Sequence, residues 1–146
     1  MNAAEAGADV ATTLPLRTTD DVVLARRRIR EVAADAGFDL VTQTKLVTAV
    51  SELGRNAVVH GGGGGATVRV ARHDQAPPLR TGIVVEVDDD GPGIADLDRA
   101  MTGGWSSGTG LGLGLPGSRR LVHEFDITTA PGRGTHVRIA VWRRGA

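Results

Sequence analysis

Two side chains one helical turn apart, Glu52 and Asn56, are the first residues of the chain whose types and spacing could do chemistry together. On a helix they share one face, about 40° apart. A carboxylate there can take a proton from a hydroxyl, and an amide oxygen can ligate a hard cation such as Mg2+, which together equips an enzyme to work on a magnesium nucleotide. A second cluster, Asp89-x-Gly91-x-Gly93, puts a carboxylate just after a β-branched run. It can accept a hydrogen bond from the exocyclic amine of adenine, which guanine does not offer at that edge, and the two glycines let the backbone approach the base. The plain alternative is an acidic turn. The third cluster is Gly108-Thr109-Gly110-Leu111-Gly112-Leu113-Gly114, directly before a helical stretch. Alternating glycines free backbone N–H groups to face phosphates, and a helix start adds donors and a favourable dipole. Gly103-Gly104 could hinge such a lid. The setting lacks the early strand of a dinucleotide fingerprint, and no Walker sequence ending in Lys-Ser/Thr is present.

The elements that must position these clusters are readable from periodicity. Leu46, Val50, Leu53 and Ala57 form an apolar helical stripe beside the Glu52/Asn56 face, so the spacing predicts a helix over about 42–60 anchored on a sheet and ended by Gly61 to Gly65. Its cap is Thr42 or Asp39. An earlier stripe from Val22 to Ala36, with Thr18, Thr19 and Asp20 as N-cap candidates and Gly37 as a stop, predicts a first helix. Thr67–Ala71 and Ile83–Val87 read as a hairpin, and Phe125–Ala130 and Thr135–Trp142 as two strands around Pro131-Gly132-Arg133-Gly134. A short acidic helix near 95–101 and a helix from Leu115 to Glu124 fall between them. Leu14–Arg17 reads as an edge strand, because Pro15 cannot donate to a ladder. Residues 1–12 read as a disordered tail and 13–146 as one domain. Paired strands with helices between them predict an α+β two-layer sandwich, with helices on one face of a mixed, mostly antiparallel sheet.

Composition removes several function classes. With 17 basic and 17 acidic residues the formal charge is zero, so no direct nucleic-acid binding is expected. The absence of cysteine removes thiolate nucleophiles, disulfides and cysteine metal sites. No apolar run reaches the ~20 residues of a membrane span, and the start lacks a basic signal-peptide region, so no membrane is expected and the chain reads as cytoplasmic. The 21 glycines cluster around the motifs instead of repeating at a fixed period, which favours nucleotide loops over low complexity. His60 could contact ribose or phosphate, but reads more readily as a helix C-terminal cation facing the dipole; the basic run Arg26–Arg30 could meet a partner's acidic face, but reads more readily as a solvated face; Arg55 reads equally well as touching a phosphate or a partner and as solvated. Trp105 reads as exposed and open to a partner, Trp142 as closing the sheet.

Taken in order, Glu52-x-x-x-Asn56, Asp89-x-Gly91-x-Gly93, the glycine series and Gly134-Thr135 resemble the GHKL ATPase superfamily of gyrase, Hsp90, histidine kinases and MutL. Ser51-Glu-Leu-Gly-Arg-Asn56, Asp89-Asp-Gly-Pro-Gly-Ile94 and Gly110-Leu-Gly-Leu-Gly-Leu-Pro-Gly-Ser-Arg-Arg-Leu121 further resemble the RsbT-like switch-protein serine/threonine kinases of the anti-sigma-factor kinase family. The resemblance implies that Asn56 ligates Mg2+ on the phosphates of ATP and that Glu52 is the general base on a serine or threonine hydroxyl. It implies that Asp89 holds the adenine amine, with Gly91, Gly93 and Thr135 around the base. Gly108, Thr109, Gly110, Leu111, Gly112 and Gly114 would line the triphosphate. It further implies partner switching in a stress response: a STAS-domain antagonist protein as substrate, with a PP2C-type phosphatase as a possible downstream partner. The competing reading is an anti-sigma factor that sequesters a sigma factor, with ATP as a conformational ligand. The departures from the pattern are the five-glycine run and Gly54 inside the helix.

Overall fold

The computed structural model describes residues 8–61, 65–75, 79–101 and 114–144. Five strands form one sheet: β1 (Ala8–Pro15), β2 (Thr67–Gln75), β3 (Arg80–Asp89), β4 (Glu124–Thr129) and β5 (Thr135–Arg144), in the order β1-β2-β3-β5-β4. Each of the four pairings is antiparallel, so the expected mostly antiparallel sheet is wholly so among the described residues. Helices α1 (Thr19–Asp35), α2 (Leu40–His60), α3 (Leu97–Met101) and α4 (Gly114–Arg120) complete the two-layer α+β arrangement.

The long helices begin and end where side-chain chemistry says they must. Thr18 caps α1 in a capping box, its hydroxyl accepting from the Asp21 amide at 3.4 Å while Asp21 accepts from the Thr18 amide at 3.2 Å. Gly37, at φ +85°, turns the chain out of the helix. Asp39 then caps α2, accepting from the Thr42 amide at 2.8 Å; the hydrogen bonds from Thr42 hold its carboxyl below the usual carboxylate value. The stripe Leu46, Val50, Leu53 and Ala57 is buried and shares one core with Val68 and Val70 of β2, Val85 and Val87 of β3, and Val137, Ile139 and Val141 of β5. Gly54 has a packing reason: a β-carbon there would lie 3.4 Å from both Val22 methyls, so α1 and α2 meet closely at this point.

Two boundaries correct the sequence reading. The stretch 1–12 is not a tail throughout, because β1 starts at Ala8 and pairs with β2 through Ala11↔Ala71 and Thr12↔Val70. An edge strand held by backbone bonds needs no side-chain pattern, so its small residues left no signal. The helix expected to run to Glu124 stops at Arg120, and Glu124 opens β4 opposite Ala140. Its carboxylate accepts from Arg138 at 2.9 Å and from the Trp142 indole at 2.6 Å. These tertiary partners override local helical pattern. Trp142 lies on β5, inside the sheet, and its ring packs over the neighbouring strand: a β-carbon on its register partner Gly82 would fall 2.5 Å from the ring, and Arg80 stacks 3.9 Å from the ring centroid.

Candidate nucleotide site

β5 lies between β3 and β4, which places Asp89, at the end of β3, directly opposite Thr135, at the start of β5. α2 crosses above this end. Between them lies a cavity of about 440 Å³ whose lining includes Asn56, Asp89, Gly93 and Thr135, with apolar walls from Leu53, Ala57, Val87, Ile94, Leu115 and Val137. A largely apolar slot with acceptors at one end suits a flat heteroaromatic base.

The Asp-x-Gly-x-Gly loop is held by backbone contact. Asp89 accepts from the Gly91 amide at 2.9 Å. A β-carbon on Gly91 would stand 2.4 Å from the Gly61 carbonyl carbon, and one on Gly61 would stand 2.8 Å from the Asp89 β-carbon. Gly91 is therefore buried against the end of α2 and does not line the cavity, whereas Gly93, at φ +75°, does. Burial pushes the Asp89 carboxyl above the usual carboxylate value, against the opposing effect of the Gly91 and Thr135 amides; neighbouring Asp90 and Asp88 push the same way.

Asn56 lines the cavity and makes no side-chain hydrogen bond among the described residues, so its amide oxygen is available to a ligand. Glu52 sits one turn earlier on α2, buried, and does not line the same cavity. Its carboxylate pairs with Arg55 at 3.1 Å, which accounts for the Arg55 whose role the sequence left open. Gly114 begins α4 at φ +63°. Gly108, Thr109, Gly110, Leu111 and Gly112 lie outside the described residues, as do Gly103, Gly104 and Trp105.

Two further polar residues line the cavity: Asp96, which the sequence reading passed over, and His60, which it weighed but left outside the site. His60 was legible: it stands four residues after Asn56 and so shares its helix face. The sequence reading also missed Thr129. This hydroxyl accepts from the Ile94 amide at 2.9 Å, donates to the Gly134 carbonyl at 3.0 Å and stands 3.0 Å from the Thr135 hydroxyl. Nothing in a Thr-Thr strand end marks such a hub before the strands are paired.

Comparison with known proteins agrees with this geometry. Residues 41–145 match the family described as histidine kinase-, DNA gyrase B-, and HSP90-like ATPase. The chain belongs to that ATPase family. Within and around it, the chain is 37% identical over 129 residues to the serine/threonine-protein kinase RsbT of Bacillus subtilis (strain 168), a match covering 88% of this chain and 94% of the relative. A crystal structure of the RsbU and RsbW domains of Rv1364c from Mycobacterium tuberculosis superposes with a TM-score of 0.61 at 25% identity. That match covers 93% of this chain but only 33% of the larger protein, about one third of its length. Among the described residues, no helix is long and apolar enough to cross a membrane.

Proposed function

We propose that this member of the ATPase family is a cytoplasmic, ATP-dependent protein serine/threonine kinase of a partner-switching, stress-response system. The convergence of Asn56, Asp89 and Thr135 on one cavity, with Glu52 one turn back on α2, carries the reading. Asp89 and Thr135 receive the base. Asn56 offers its amide oxygen as one hard ligand, and Mg2+ so held would neutralise charge on the transferred phosphoryl group. Glu52 takes the proton of the incoming serine or threonine hydroxyl as its oxygen bonds to the γ-phosphorus; the bond to the bridging oxygen breaks and ADP leaves. Arg55, 3.1 Å away, holds that carboxylate in one orientation before substrate arrives. Gly91 and Gly93 fix the base-binding loop, and Gly108 to Gly114 would close over the phosphates. The kinship with RsbT supports a STAS-domain antagonist as substrate and a PP2C-type phosphatase as a further partner.

The test incubates purified protein with γ-labelled Mg-ATP and candidate STAS-domain proteins. Label should move to a serine or threonine of the acceptor. Glu52→Gln should bind ATP yet lose about 10²- to 10⁴-fold in transfer, the usual worth of a general base. Asn56→Ala should lose metal-dependent binding and transfer together. Stable capture of a sigma factor with no label transfer would replace the kinase with the sequestering reading.

A further inference from the structure

Resting on the adenine reading above, we propose that Thr129, which does not touch the cavity, sets its base specificity by fixing the Thr135 hydroxyl as a hydrogen-bond acceptor. A hydroxyl has one proton and two acceptor lone pairs. The proton of Thr129 goes to the Gly134 carbonyl, which can only accept, and one lone pair takes the Ile94 amide, which can only donate. The remaining contact, to the Thr135 hydroxyl at 3.0 Å, must then be one in which Thr135 donates. Thr135 has spent its proton inside the protein and turns only lone pairs toward the cavity it lines.

Its neighbour across the ladder is Asp89, whose carboxylate also only accepts when ionised. The strand end therefore presents two acceptors side by side. That pair matches the two protons of a purine 6-amine and opposes a 6-oxo group, which would bring another acceptor against both. Asp89 alone would leave this discrimination half made, since an uncommitted Thr135 could rotate to donate to a 6-oxo oxygen. Thr129 is thus a positioning residue acting through Thr135.

Titration calorimetry of the full chain with Mg-ATP, which has a 6-amine and a bare N1, and with Mg-ITP, which has a 6-oxo group and a proton on N1, reads the proposal. Wild type should prefer ATP. Thr129→Val keeps the shape but releases the Thr135 proton, so ATP should weaken, ITP should strengthen, and the preference should narrow by about tenfold, what a donor exchanged for an acceptor is worth. Thr129→Ser should restore the wild-type ratio. Should Thr129→Val not fold, Thr135→Val leaves the Ile94 and Gly134 bonds in place and should narrow the ratio likewise. A wild-type protein without preference, a ratio unchanged in either valine variant, or an equal loss of both nucleotides in Thr129→Val overturns the specificity role. Failure of wild type to bind either nucleotide overturns instead the adenine reading on which it rests.

Discussion

Replacing Gly91 by alanine separates a site held by backbone contact from one held by side chains. The added β-carbon would lie 2.4 Å from the Gly61 carbonyl carbon and 2.6 Å from its α-carbon and oxygen. Carbon atoms rest at about 3.5 Å, so the loop and the end of α2 must part by about 1 Å. Overpacking of that size costs about 1–3 kcal/mol. The functional cost is larger, because the movement draws Asp89 away from Asn56; a misplacement of about 1 Å is worth on the order of a hundredfold in rate. Gly132→Ala is the matched control. Gly132 stands at φ +77° with no atom within 4 Å of a new β-carbon, so it bears only the left-handed backbone cost of about 1–2 kcal/mol. Thermal unfolding should show both variants folded and comparably weakened. Calorimetry with Mg-ATP should show weakened binding in Gly91→Ala alone, and phosphoryl transfer should fall with it. Wild-type affinity in Gly91→Ala, or equal loss in Gly132→Ala, would refute the claim that the Gly61–Gly91 contact positions the site.

Gly54→Ala should raise the melting temperature, since helix propensity favours alanine by about 1 kcal/mol and the new carbon meets Val22 at ordinary contact distance; a lower value would show that α1 and α2 cannot yield there. Asp89→Asn should stabilise the nucleotide-free protein at neutral pH while losing ATP. Because burial raises the Asp89 carboxyl in the folded state, its contribution to stability is present below the usual 3.8 and is lost as pH rises through the raised value, so the gain from asparagine should vanish as pH falls toward 4, read by thermal melts across pH. Glu124 behaves oppositely. Arg138 and then the Trp142 indole hold its carboxyl below 4.5, so its contribution is present above that value and is lost as pH falls through the lowered one; Glu124→Gln should cost about 0.2–1 kcal/mol at pH 7, a difference that shrinks on acidification.

Much of the site was legible because its residues sit at fixed offsets within single elements. The four-residue step from Glu52 to Asn56 fixes a shared helix face, and the apolar stripe at 46, 50, 53 and 57 fixes which side of that helix is buried. The two hairpins, β2–β3 and β4–β5, were also written locally in alternation and turn residues. What was not legible depends on pairing between distant strands. No local pattern says that β5 lies beside β3, yet that pairing sets Thr135 opposite Asp89. The same holds for Gly91, whose need for glycine comes from Gly61 across a junction and not from a ligand. Glu52 read as part of the pocket, but its pairing with Arg55 keeps it to one side of the base cavity.

The insertion of β5 between β3 and β4 also dictates when the chain can first hold its nucleotide. A nascent chain has already made Asn56 and Asp89 while Thr135 and the strand that carries it are still within the ribosome. Until β5 threads into its slot, the cavity lacks the wall that Thr135 and Val137 supply, so on the function proposed above competence to bind ATP is acquired only after every other described strand has been synthesised.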